Sequence, residues 1–174
     1  MAEENRFVSF VDNPTSATYD AIVTNLKART TAHKEWSSFQ RDYKALAKFL
    51  HLVETSNAVA VDLAIKLAPD TDGGNLEDLC RAVGKNIRPH PELVLRVLRQ
   101  NQLGENGQRC MLDVLPSNTV DNIDAQIGEL AARVAAISVV NNPELSEYKR
   151  KALTILDDDL HSLRNVKSEL KNSH

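Results

Sequence analysis

The 174 residues carry 24 acidic and 21 basic side chains, a formal charge of −3, with 42% apolar and 26% charged residues. That balance is ordinary for a globular domain and leaves no excess positive charge for a phosphate backbone, so neither disorder nor nucleic-acid binding is expected. No apolar run approaches the roughly 18 residues that span a membrane, and the length predicts one domain, residues 1–174, burying roughly 70% of its unfolded surface.

Few glycines and prolines, six of each, and the lack of β-branched runs at period two predict an all-α fold. The first helix is expected over Glu4 to Val11, stopped by Asp12 and Asn13. Asn13-Pro14 starts the second, since asparagine caps and proline suits the first helical position. Tyr19, Ile22, Val23 and Leu26 form its buried stripe up to about Arg29, and a polar connector runs from Thr30 to His33. Trp36, Phe39, Tyr43, Leu46, Leu50 and Val53 then recur at helical steps, with Phe49 alongside, predicting one aromatic helix. Seven of the eight aromatic residues precede position 50, so the N-terminal half holds the bulky packing.

Ser56 reads as the cap of a deeply buried helix from Asn57 to Leu67. Pro69 to Gly74 reads as a flexible acidic turn. Leu76, Leu79, Cys80, Val83 and Ile87 make another stripe, ended by Arg88-Pro89. His90-Pro91 opens the next helix, with Leu93, Val94, Val97 and Leu98 inward, and Gln108 to Leu115 forms a short one before Pro116. From Asn118 to Ser138, Val120, Ile123, Ile127, Leu130, Val134 and Ile137 line one side of a helix with a nearly all-apolar second half. This stretch is expected to be the centre around which the others pack. Asn142-Pro143 opens a long helix to about Leu170, with Leu145, Tyr148, Ala152, Ile155, Leu156, Leu160, Leu163 and Val166 inward, and Lys171 to His174 fraying. The whole predicts about eight helices packed as an array of helical hairpins, loosely α-solenoid-like.

Cys80 and Cys110 leave two alternatives open, a disulfide or two buried thiols. A bond would close a loop of roughly 31 residues, worth roughly 3.5–4 kcal/mol on the chain-entropy model. The opening Met1-Ala2-Glu3-Glu4-Asn5 also reads two ways: a start methionine before a mature exported chain whose signal peptide is gone, or the N-terminus of a cytoplasmic protein.

Catalytic, cofactor and metal signatures are weak. Asp157, Asp158, Asp159 and His161 have metal-ligand chemistry within one turn, but no ligand on a second helix is identifiable, and a solvated acidic face is the expected reading. His33, His51, His90 and His174 have no evident partner in sequence. Gly73-Gly74 and Gly104 to Gly107 lack any phosphate-binding context. No catalytic residue, cofactor or metal is therefore expected.

Charge patterning says more. Arg81, Lys85, Arg88, Arg96, Arg99 and Arg109 are opposed only by Glu92 and Glu105 within their segment, and acidic stretches flank it. Arginine suits bidentate pairing with carboxylates. A basic face for an acidic protein partner is one reading, with Arg88, Arg96 and Arg99 as the contacts. Pairing with acids on neighbouring helices is the other. The expected function is a non-enzymatic, protein-binding domain of inhibitor or immunity type. Trp36, Phe39 and Tyr43 are competing contact candidates, and a small apolar ligand beside the aromatic helix is the alternative function, ahead of an unassigned hydrolase.

Overall fold

The computed structural model describes residues 5–27 and 32–172. Ten α-helices occur among them: α1 Arg6–Asp12, α2 Ser16–Lys27, α3 Ala32–Phe39, α4 Tyr43–Glu54, α5 Ala58–Leu67, α6 Gly73–Gly84, α7 Pro91–Asn101, α8 Glu105–Asp113, α9 Ile123–Ser138 and α10 Ser146–Asn172. The described residues contain no strand. The fold is all-α, with ten helices where about eight are expected. Thr30, Thr31, the turn expected up to Arg29, Met1 to Glu4 and His174 lie outside the described residues.

Short polar side chains start the helices. Asn5, Asn57 and Asn122 accept from the backbone N–H of Phe7, Ala60 and Ala125, and Asp42 accepts from those of Lys44 and Ala45. Each satisfies a donor that the first turn leaves open. Ahead of α2, Thr15 and Thr18 cap each other reciprocally, so that helix begins later than Asn13-Pro14. Asn57, not Ser56, caps α5, and Ser56 takes a left-handed φ of 64°.

Asp42 also explains the extra helix. Its cap breaks the expected aromatic helix between Phe39 and Tyr43 and resets the helical phase. Trp36, Phe39 and Phe49 turn inward, while Tyr43 in the first turn of α4 is 81% exposed. Phe7, Trp36, Phe39 and Phe49 form a ring cluster with centroids 5.2 Å apart for Phe7–Trp36 and 6.3 Å for Phe39–Phe49. Trp36 donates to the buried Thr71 hydroxyl at 3.0 Å, and that hydroxyl donates to the Leu67 carbonyl. The segment read as a flexible acidic turn is thus pinned at Thr71, with a 3-10 turn at Ala68–Asp70 before it and α6 beginning at Gly73.

The centre is α5. Ala60 to Ile65 and Leu67 are all buried, and the helix packs against α2, α4, α6 and α7. The stretch expected as the centre begins its helix only at Ile123. Within it just Leu130, Arg133 and Ile137 are buried, Ile127 is half-buried, and Val120 lies outside the helix, 58% exposed. The physical reason is one-sided packing: α9 lies along α10, and Gly128 and Ala135 face outward. In α10 the inward stripe holds through Leu160, but Val166 and Leu170 are exposed.

The one polar residue buried in α5, Asp62, is fully partnered. Tyr19 of α2 donates to it, Lys66 pairs with it at 2.9 Å, and Asn101 of α7 donates to it at 2.7 Å. Burial, then the bond to Asp62, pushes the Tyr19 hydroxyl well above its ordinary value. This network ties α2 and α7 across the central helix. Cys80 of α6 and Cys110 of α8 are bonded, with Cα atoms 5.6 Å apart.

Candidate partner-binding face

After α6 ends at Gly84, Ile87 tucks into the core and the chain turns through Arg88-Pro89-His90 into α7, whose first residue is Pro91. Proline there needs no backbone donor and presets the helical φ. The turn therefore pushes Arg88 outward: its side chain is 59% exposed and donates to Glu129 of α9 at 3.1 Å.

On α7, Val94, Leu95, Val97 and Leu98 are buried, which leaves Arg96 and Arg99 on the solvent side. Arg96 pairs with Glu92 at 3.2 Å, and Asn142 donates to the same Glu92 oxygen at 3.0 Å. The Asn142 bond, then that of Arg96, holds the Glu92 carboxyl below its ordinary value. Arg99 reaches Glu144, beyond α9, at 2.8 Å. Arg96 and Arg99 thus flank the contact between α7 and the segment joining α9 to α10.

The three arginines do not converge on one point. Two open grooves flank Pro89. One, of about 490 Å³, is bordered by Lys85, Arg88, Pro116 and Glu129. The other, of about 480 Å³, is bordered by His90, Leu93, Arg96, Val139 and Asn141. Val139 is 77% exposed in the second groove. Arg99 lies beyond it, on the Glu144 side. Each arginine has an intramolecular carboxylate and still presents about half of its side chain to solvent.

The other candidates separate cleanly. Trp36 and Phe39 are 1% and 2% exposed and belong to the core, which leaves Tyr43 alone at the surface. The aromatic cluster is filled by its own rings. An apolar groove lies elsewhere, about 310 Å³ between Ala68, Leu76, Leu103 and Met111. Asp157, Asp158 and His161 point to solvent, Asp159 turns inward to Arg109, and no group that could hold a metal ion occurs among the described residues.

Sequence reading misses the most unusual polar group. Arg133 of α9 has no exposed surface. It pairs with Glu129 at 3.1 Å and donates through Nη1 to the carbonyls of Leu112 and Val114 at 2.6 and 3.1 Å. These carbonyls lie at the C-terminal end of α8, where a cation is favoured. Burial pulls the Arg133 pKa down, against the pull of Glu129. Gly84 makes room for it: a Cβ there would sit 3.1 Å from both terminal nitrogens. The available signal was a lone arginine inside the nearly all-apolar half of its helix.

No protein-family model, curated protein or solved structure matches the chain.

Proposed function

We propose that the chain is a non-enzymatic protein-binding domain of inhibitor or immunity type, which docks against an acidic surface through Arg88, Arg96 and Arg99. The observation that carries this reading is Val139, 77% exposed in a groove rimmed by Arg96, with Arg88 across Pro89. Arginine is enriched at interface hot spots, and the exposed valine adds apolar area beside these arginines. The pairs that now hold Arg96 and Arg99 are solvent-exposed on both sides and worth little, so a partner carboxylate replaces Glu92 or Glu144 at small cost, whereas Glu129, which holds Arg88, also pairs with the buried Arg133. The Cys80–Cys110 bond supports an exported, oxidising setting for such a protein.

The test is a pull-down from the source lysate, with the unaltered chain and an Arg96→Glu/Arg99→Glu double variant run in parallel. Expected is one stoichiometric protein held by the unaltered chain. The variant should hold it at least about tenfold more weakly, about 1.4 kcal/mol, at an unchanged melting temperature. Equal retention by both, or loss of fold in the variant, refutes the face. A second reading, a small apolar ligand, is supported by the groove between Leu76, Leu103 and Met111 rather than by the aromatic helices. A small molecule co-purifying in place of a protein would favour it.

A further inference from the structure

The groove bordered by Lys85, Arg88, Pro89, Pro116 and Glu129 has two cations and one carboxylate on its rim. That carboxylate is shared. Glu129 accepts from Arg88 Nη1 through Oε2 and from Arg133 Nε through Oε1, each at 3.1 Å. The two guanidinium groups differ in what they can give up. Arg133 is fully buried, and stripping it of Glu129 would leave a charge inside the protein without its counter-ion. Arg88 is 59% exposed and donates to Glu129 through Nη1 alone. A guanidinium carries five N–H donors in a planar fork, so most of the Arg88 fork is left for a second carboxylate. We propose that this groove binds a small monocarboxylate, whose acid group pairs with Arg88 while Glu129 stays on Arg133, and whose body rests on the rings of Pro89 and Pro116.

Charge and size both fit this ligand. Lys85 pairs with Glu54 at 2.6 Å and keeps 42% of its side chain exposed, a second cation on the rim. Behind Glu129, Arg133 Nη2 is buried with no acceptor among the described residues. The other bonds of Arg133 go to the Leu112 and Val114 carbonyls on the α8 side, where the Asp113 charge also acts on it. On the groove side, one carboxylate therefore serves two guanidinium groups, and the field there favours an anion. A planar carboxylate meets the arginine fork in two parallel bonds, and a monoanion answers the single surplus charge of the rim. The groove, about 490 Å³, is larger than a bare carboxylate fills. Pro89 and Pro116 line it with apolar ring surface and bring no backbone N–H of their own. Arg88 also belongs to the proposed docking face, yet the groove site does not rest on that reading, because a free acid needs neither Arg96 nor Arg99.

NMR titration of the full chain with benzoate tests the site, with benzamide as the uncharged isostere and acetate as the acid without a body. Benzoate should shift the amide signals of Lys85, Arg88 and Glu129 and the Nε–H signals of Arg88 and Arg133 in one saturable step. Benzamide should bind at least about tenfold more weakly, and acetate at least about threefold. Arg88→Gln should weaken benzoate at least about tenfold. Glu129→Gln keeps an oxygen for Arg133 and removes the competing charge, so it should tighten benzoate at least about threefold. Shifts centred on Arg96 or Arg99, equal binding of benzamide or acetate, or unchanged binding in Arg88→Gln overturns the proposal. Unchanged or weaker benzoate binding in a folded Glu129→Gln overturns it too. If Glu129→Gln fails to fold, the titrations of the unaltered chain and of Arg88→Gln, a surface change, still decide it.

Discussion

Asp113 is the residue whose chemistry the fold alters most usefully. Its folded value of about 6 lies above the ordinary 3.8, so the folded chain binds this proton more tightly than the unfolded one. The resulting stability is fully present below about pH 4 and is lost as pH rises through 6. The whole shift corresponds to about 3 kcal/mol. Because the carboxyl keeps substantial contact with water, about 1 kcal/mol is the expected share. Denaturant titrations should show Asp113→Asn more stable than the unaltered chain by about that amount near pH 7.5, with the gain shrinking toward pH 4. Gly84 offers a second test at this scale. A Cβ there meets the Arg133 guanidinium at 3.1 Å and the Val114 carbonyl at 3.2 Å, neither free to move in a buried site. Gly84→Ala should cost about 1–3 kcal/mol by overpacking, although alanine is the better helix former. A stabilised variant would mean that the Arg133 pocket is slack.

Among the elements, α5 and α9 make opposite cases. Both carry apolar residues at helical spacing, yet α5 has helices on four sides and α9 rests chiefly on α10. Leu63→Ala should therefore cost about 2–5 kcal/mol, and Ile127→Ala about 1 kcal/mol, since part of that side chain is already wet. Equal costs in urea melts would restore α9 as the organiser. The break between α3 and α4 shows how one residue redirects an element. Asp42 satisfies two backbone donors of α4, and the phase change it introduces moves Tyr43 out of the aromatic stripe and leaves Phe49 in.

Across the whole molecule, α8 is the most heavily tied short helix. The disulfide holds it to α6, Arg109 to Asp159 of α10, and Arg133 of α9 to its C-terminal end. Reducing the bond frees a separation of 30 residues, worth about 3.5 kcal/mol on the chain-entropy model. For a chain of this size the melting temperature should fall by roughly 10 °C. Thiol labelling of denatured, unreduced protein should find no reactive cysteine. Two reactive thiols and an unchanged melt would sink both the bond and the support it lends to export.

Helix type was legible because it is local: the residues of a stripe at 3.6 spacing lie within a few positions of one another, although α2 and α10 begin later than Asn13-Pro14 and Asn142-Pro143 and α6 ends before Arg88-Pro89. Such stripes decide the all-α class and the inward residues of α5, α6, α7 and most of α10. Burial is not local. Whether an apolar stripe becomes a centre or a flank depends on how many other helices reach it, which is why α9 read as central and is not. The same holds for charge. In sequence Arg96 is one polar residue among several on its helix and Arg133 a lone one in an apolar half, and neither setting states how far the side chain is buried. Only the positions of α8 and Gly84 turn one into a surface side chain and the other into a buried clamp. Asp62 is an acid within an apolar run, but Tyr19 and Asn101, its partners from far along the chain, meet it only once α2 and α7 have packed on α5.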